Sequence, residues 1–211
     1  MSNQMHSKYI HNLSFLALGD SYTIGEGVGI QDSFPHQTVE ILRNKKFQLT
    51  PPMVIAKTGW TTGELYNAVV SNKLTDKYDI ITVLIGVNNQ YRGNTIQEFS
   101  YEYEMLLQKA ISLAGNKQSN VFTLSIPDWS VTPFAEGREK KKIADEINAF
   151  NDMAESISRS FQVPFIEITT EYKARSTDPS FIAQDKLHPS GKEYKAWSEK
   201  IATEIVKSYT K

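Results

Sequence analysis

The sequence predicts an α/β protein: one parallel β-sheet with helices on both faces. Two observations carry this. Five short apolar runs, at 15–18, 53–56, 80–85, 121–126 and 163–168, are rich in β-branched or aromatic residues and bounded by Gly, Pro, Asn or Asp, as buried strands are. Longer amphipathic stretches separate them, so strand and helix signals alternate along the chain. No internal repeat, low-complexity tract or Pro/Gly-rich linker divides the 211 residues, a length that suits one domain slightly above the usual size.

The elements follow in chain order. A single domain is expected over 1–211, with residues 1–13 a polar, loosely ordered leader. The run at 15–18 leads into Gly19-Asp20-Ser21-Tyr22. A helix is expected near 34–45, with Pro35 in its first turn and Asp32 or Ser33 as its cap. The run at 53–56 precedes Lys57-Thr58-Gly59-Trp60 and a helix near 62–74. The run at 80–85 precedes Gly86-Val87-Asn88-Asn89 and a helix near 96–114, in which Phe99, Tyr103, Leu106, Leu107, Ala110 and Leu113 follow helical spacing. The run at 121–126 opens into a long loop at 127–135 and a helix near 139–161. The stretch Arg138-Glu139-Lys140-Lys141-Lys142 reads as the solvated start of that helix. After the run at 163–168 come a loop at 170–184, the block Asp185-Lys186-Leu187-His188-Pro189-Ser190, and a helix near 189–208 with Pro189 in its first turn.

Composition narrows the function classes. At 40% hydrophobic the chain can bury a sizeable core, and a formal net charge of -1 gives no strong pull toward nucleic acid or an anionic membrane. There are no cysteines, which excludes disulfides, thiolate catalysis and Cys-rich zinc sites. No stretch approaches the roughly 20 apolar residues that span a bilayer. The first residues lack the apolar run of a signal peptide, so the expectation is a cytoplasmic protein without integral membrane association. Oligomeric state is not legible in the sequence.

Parallel sheets gather ligands at the carboxyl ends of their strands, so chemistry-bearing residues are sought just after the apolar runs. Ser21 stands there, with Gly19 before it allowing a tight turn. By itself such a serine is an ordinary turn or cap residue, and its hydroxyl is a poor nucleophile until a base takes its proton. Of the four histidines, His6 and His11 lie in the polar leader and His36 at a helix start. His188 stands in a loop after the fifth run, with Asp185 three residues earlier. In a loop or single turn, that spacing lets the carboxylate reach Nδ1–H and fixes the tautomer that leaves Nε2 free to accept a proton. Asp20 is a rival orienting acid, but its place after a tight turn suits a hydrogen bond to local backbone. A tetrahedral intermediate also needs donors for its oxyanion. The backbone N–H of Gly59, unshielded by a side chain, and the amide of Asn88 follow the second and third runs. Trp60 and Tyr91, beside those donors, and Trp129 and Phe134, in the 127–135 loop, are candidates to line a substrate cleft. Arg92 is a candidate contact for a polar or anionic leaving group, against the plainer reading of an exposed arginine.

The blocks Gly19-Asp20-Ser21-Tyr22, Gly59, Gly86-Val87-Asn88-Asn89 and Asp185-Lys186-Leu187-His188-Pro189-Ser190 resemble, in order and spacing, the four sequence blocks of the SGNH hydrolases, also called GDSL-type esterases and lipases. The resemblance spans nearly the whole chain, and the pairing of Asp-x-x-His-Pro with Gly-Asp-Ser is its specific part. It implies a three-layer α/β/α sandwich with a five-stranded parallel, flavodoxin-like sheet, and neither metal nor organic cofactor. Carried over by position, it implies Ser21 as nucleophile and backbone oxyanion donor, Gly59 as a second backbone donor and Asn88 as a side-chain donor. His188 is then the base and Asp185 its orienting carboxylate. Two positions depart from the family pattern. Tyr22 stands where the family has leucine, and a packing or pocket effect is expected. Asn89 stands where aspartate is usual, which bears on the hydrogen bonding of its loop.

The activity so implied is hydrolysis of carboxylic esters through an acyl-enzyme. The expected partner is a small-molecule ester with a small or short acyl group. Lysophospholipase, thioesterase and sugar O-deacetylase activities use the same residues and stay open. So does a reading of a different class, a catalytically dead binding module on a flavodoxin-like sheet.

Overall fold

A computed structural model of the chain describes residues 12–72, 74 and 77–210. Each of the five apolar runs contains a strand: β1 (Phe15–Gly19), β2 (Met53–Ala56), β3 (Ile80–Leu84), β4 (Val121–Leu124) and β5 (Phe165–Ile166), the last only two residues of the run expected at 163–168. They form one parallel sheet in the order β2-β1-β3-β4-β5. Every residue of β1, β3 and β4 is buried, as continuous apolar runs covered on both faces should be. The register sets Gly19 beside both Ala56 and Leu84. Strands β2, β1 and β3 therefore end level, and the loops that follow them emerge along one edge.

The helices are α1 (Ser21–Ile24), α2 (Phe34–Asn44), α3 (Thr62–Ser71), α4 (Val87–Tyr91), α5 (Ile96–Leu113), α6 (Lys140–Ser160), α7 (Thr169–Arg175) and α8 (Gly191–Tyr209). α2 packs on α8 in one layer, while α3, α5 and α6 lie side by side in the other. The sheet between them makes the expected α/β/α sandwich. In α5 the six apolar positions read from helical spacing are all buried. Capping boxes start α3 (Thr61 with Glu64) and α5 (Thr95 with Glu98), each satisfying backbone N–H groups that a helix start leaves unpaired. Among the described residues no helix is long and apolar enough to cross a membrane.

Several boundaries differ from the sequence expectation. Residues 1–11 of the expected leader lie outside the described residues, whereas Leu13 is buried and bridges to Leu49. The helix expected at 62–74 ends at Ser71, where the Asn72 side chain donates back to the Ala68 carbonyl. Pro35 is in the first turn of α2 as read. Pro189 lies outside α8, because it bridges Ile182 and Ser190 is still extended. The stretches read as loops hold short helices: α7 falls within 170–184 apart from its first residue, and two 3₁₀ turns occupy 129–131 and 133–135. One or two turns are too short to show a helical period in sequence.

One ion pair, buried at its carboxylate end, joins the two ends of the segment that carries Asp185 and His188. Glu193, in the first turn of α8, is fully buried. It accepts from Arg175 Nε and Nη2, both at 2.7 Å, and from Trp197 Nε1 at 2.6 Å. Removing one partner of a buried pair strands the other charge. We expect Arg175→Met to lower the unfolding free energy by roughly 3–5 kcal/mol. In urea titrations this is a lower midpoint at unchanged slope. Adding Glu193→Leu to that variant should recover at least half of the loss.

Candidate active site

β1 runs into Asp20, whose carboxylate Oδ1 accepts from the Tyr22 N–H at 3.0 Å and caps α1. Asp20 thus holds local backbone, as its place after the strand suggested. Gly19 serves close approach rather than an unusual turn. A Cβ there would lie 2.0 Å from Thr23 Oγ1 and 2.4 Å from the Leu84 carbonyl oxygen. The result sets Ser21 in the first turn of α1, 5% exposed, with its hydroxyl above the end of the sheet.

His188 reaches that hydroxyl from the other end of the chain, Nε2 lying 2.9 Å from Ser21 Oγ. Its Nδ1 is 2.7 Å from Asp185 Oδ2. Asp185 Oδ1 accepts from the backbone N–H groups of Leu187 and His188, both at 2.9 Å, so the carboxylate is oriented by its own loop. Burial pushes the Asp185 carboxyl up, but those two N–H groups and the imidazole outweigh it and hold its pKa below the usual aspartate value. The loop is a hairpin closed by bonds from Ala183 N–H to the His188 carbonyl and from Ser190 N–H to the Phe181 carbonyl. A further bond, from Phe134 N–H to the Lys186 carbonyl, ties it to the loop after β4.

A cleft of about 180 Å³ opens over the serine. Ser21, Tyr22, Val87, Asn88, Tyr91, Trp129, Phe134, Leu187 and His188 line it. Three of the four aromatics read as lining candidates are there. Trp129 stacks edge-on between Tyr91 and Phe134, at centroid distances of 5.6 and 5.9 Å. Its indole N–H donates to Gln90, which donates in turn to Glu146. The fourth, Trp60, does not line the cleft; its backbone carbonyl accepts from Asn88 Nδ2 at 3.0 Å. Larger hollows of about 720 and 530 Å³ lie along α6, away from the Ser21–His188 pair.

Gly59 has φ +82°, a left-handed conformation that favours glycine, and its carbonyl accepts from Arg92 Nη2. Arg92, which also pairs with Glu64, therefore holds the Gly59 loop instead of reaching toward a leaving group. Among the described residues, the N–H groups of Gly59 and Ser21 have no protein acceptor. Asn88 Nδ2 spends one N–H on Trp60 and is 3.5 Å from Asp20 Oδ2, too far for a strong second bond.

Both departures from the family pattern have a physical basis. Tyr22 is buried, with its ring edge-on to the His188 imidazole at 5.2 Å and tilted against Trp197. It packs beneath the histidine and lines the cleft at once. Asn89 is fully buried. Its Oδ1 accepts from Thr62 N–H and Oγ1, and its Nδ2 donates to Glu102, which also accepts from Gly63 N–H. An aspartate here would set a second carboxylate against Glu102. Sequence reasoning missed Glu102, Gln90, Glu146 and Arg138. The guanidinium of Arg138, read as part of a solvated helix start, lies over the rings of Tyr91, Trp129 and Phe134, at 5.7, 5.5 and 4.7 Å.

Two measurements test this environment. Asn89→Asp should cost about 2–3 kcal/mol in urea unfolding, since it exchanges a donor for a carboxylate beside Glu102. Glu102→Gln in the same chain should restore most of that. The second concerns Asp20, where burial raises the pKa from 3.8 to about 7, the Tyr22 N–H pulling it back only in part. Between those values the folded chain keeps a proton that the unfolded chain has lost. Stability drawn from this group therefore falls as pH rises from about 4 to about 7, and stays low above that. Asp20→Asn removes the effect. Relative to wild type, the variant should gain roughly 2–4 kcal/mol between pH 4 and pH 8; a difference that does not change with pH contradicts the assignment.

Residues 17–196 match the GDSL-like Lipase/Acylhydrolase family. The spore germination lipase LipC of Bacillus licheniformis is 24% identical over 208 residues, spanning 90% of this chain and 94% of that protein. Among solved structures, the psychrotrophic esterase EstA from Pseudoalteromonas sp., in a form inhibited by monoethylphosphonate, superposes with a TM-score of 0.73 at 13% identity, covering 95% of this chain and 100% of that one. The acetyl xylan esterase AlAXEase also has a TM-score of 0.73, at 15% identity, with 92% of this chain and 100% of that one covered. At these identities the solved structures speak for the fold, and the family match speaks for the chain as a whole: the chain belongs to the GDSL-like lipase/acylhydrolase family and is a hydrolase of carboxylic esters.

Proposed function

We propose that Ser21, His188 and Asp185 act as a catalytic triad that hydrolyses esters of small or short acyl groups through an acyl-enzyme. The observation that carries this reading is the unbroken run from Ser21 Oγ to His188 Nε2, at 2.9 Å, and from Nδ1 to Asp185, at 2.7 Å, opening on a cleft. His188 Nε2 takes the hydroxyl proton as Oγ attacks the ester carbonyl carbon. The carbonyl π pair moves to oxygen, and the oxyanion is met by the N–H groups of Ser21 and Gly59 and by Asn88 Nδ2. When the pair returns, the C–O bond to the alcohol breaks and His188 delivers its proton to the leaving oxygen. Water, deprotonated by the same nitrogen, then attacks the acyl carbon and releases the acid and Ser21. Asp185 holds the tautomer and stabilises the imidazolium without taking the proton.

A cleft of about 180 Å³ is smaller than the roughly 300–1,000 Å³ that houses a drug-sized ligand, which favours acetyl-sized groups over long chains. The names of relatives point both ways, one to a lipase and one to an acetyl ester. A 4-nitrophenyl ester series from acetyl to decanoyl separates them, with kcat/KM expected to peak at the short end. On the best ester, Ser21→Ala and His188→Ala should each lose on the order of a million-fold in turnover. Asn88→Ala should lose about 100- to 1000-fold. A phosphonate ester should label Ser21 of the folded chain. Comparable turnover by wild type, Ser21→Ala and His188→Ala would sink the proposal.

A further inference from the structure

The sequence has five arginines. Four of them meet carboxylates: Arg43 with Glu40, Arg92 with Glu64, Arg159 with Glu155 and Arg175 with Glu193. Among the described residues the Arg138 guanidinium has neither an ion pair nor a hydrogen-bond acceptor, although Glu136 and Glu139 flank it in sequence. It lies instead over Tyr91, Trp129 and Phe134, and those three rings are walls of the cleft that holds Ser21 and His188.

This arrangement prepares a cation for a ligand. A guanidinium held against ring faces keeps its N–H edge for acceptors, and that edge matches the paired oxygens of a carboxylate or phosphate. The rings are themselves fixed. Trp129 is bonded to Gln90, and the Phe134 backbone is bonded to the hairpin that carries Asp185 and His188. Little side-chain freedom is therefore lost when an anion binds. The formal net charge of the chain is -1, so no general attraction for anions competes with this local one.

We infer that Arg138 is a specificity-determining residue that selects esters carrying a carboxylate or phosphate group within reach of the aromatic wall. The inference rests on the reading of Ser21 and His188 as the site of ester cleavage. It assigns the substrate an anionic half, whether that half is a carboxylate or a phosphorylated alcohol.

Matched ester pairs test it: phenyl acetate against 4-acetoxybenzoate, and 1-acetylglycerol against 1-acetylglycerol 3-phosphate. The quantity read is the ratio of kcat/KM for the anionic member to that for the neutral member, within each variant. Wild type should favour the anionic member about tenfold to a hundredfold in at least one pair, and that pair identifies the carboxylate or the phosphate as the source. Arg138→Gln should bring the ratio to near one, and Arg138→Lys should fall between. Because Arg138 is exposed, raising KCl from 0.05 to 0.5 M should shrink the wild-type ratio. Cleavage of the neutral esters with no preference in either pair overturns the inference alone, and so does a preference that survives Arg138→Gln. Failure of wild type to cleave any of the four esters overturns the triad reading and this inference together.

Discussion

After β1 the chain turns toward the layer of α2 and α8, and after β3 it turns toward the layer of α3, α5 and α6. That divergence follows from the strand order, and it opens a crevice at the carboxyl ends of two hydrogen-bonded neighbours. Ser21 stands on one lip and Asn88 on the other. The level register of β2, β1 and β3 brings Gly59 to the same edge. Gly19 marks where the lips come closest, with the Leu84 carbonyl and Thr23 occupying the space any side chain would need. The placement of Ser21 relative to Asn88 and Gly59 depends on this packing at the end of the sheet.

His188 comes to Ser21 from 167 residues away, and its position is secured by different physics. The hairpin from 181 to 190 is closed by its own backbone bonds and tied to the loop after β4 through the Lys186 carbonyl. The Arg175–Glu193 pair fixes its two ends to α7 and α8. A buried ion pair adds little net stability compared with a well-packed apolar pair, yet it penalises misplacement heavily. That asymmetry suits a segment that has to present Nε2 within hydrogen-bond reach of a hydroxyl.

Around the second and third loops the same logic recurs with polar groups. Glu102 accepts from Gly63 and Asn89, while Asn89 accepts from Thr62, so one network joins the starts of α3 and α4 to α5. Arg92 bridges Gly59 to Glu64, the residue that closes the capping box of α3. The asparagine at 89 follows from its carboxylate neighbour: a donor is needed where two acids would repel. The tyrosine at 22 follows from the space beneath the imidazole, which an aromatic ring fills edge-on.

The strands, the five longer helices and the residues of the serine, histidine and aspartate blocks were legible in the sequence, because burial on both faces and helical amphipathicity leave periods that local reading detects. So was the edge of the sheet at which Ser21, Gly59 and Asn88 emerge. Short helices were not legible, since α1, α4 and α7 span too few turns to show a period. Contacts between distant residues were hidden for a stronger reason. Nothing local in Asn89 announces Glu102, nothing in Arg92 announces the Gly59 carbonyl, and Arg138 reads as one charge in a charged run. Trp60 reads as a cleft wall but offers its carbonyl to Asn88. The sequence by itself determined the element pattern and the chemical groups available, both of which follow from local burial and residue type. Only the tertiary structure decided which of those groups face the cleft and which hold the others in place, because hydrogen bonds and ring contacts depend on separations in space that residue spacing along the chain does not encode.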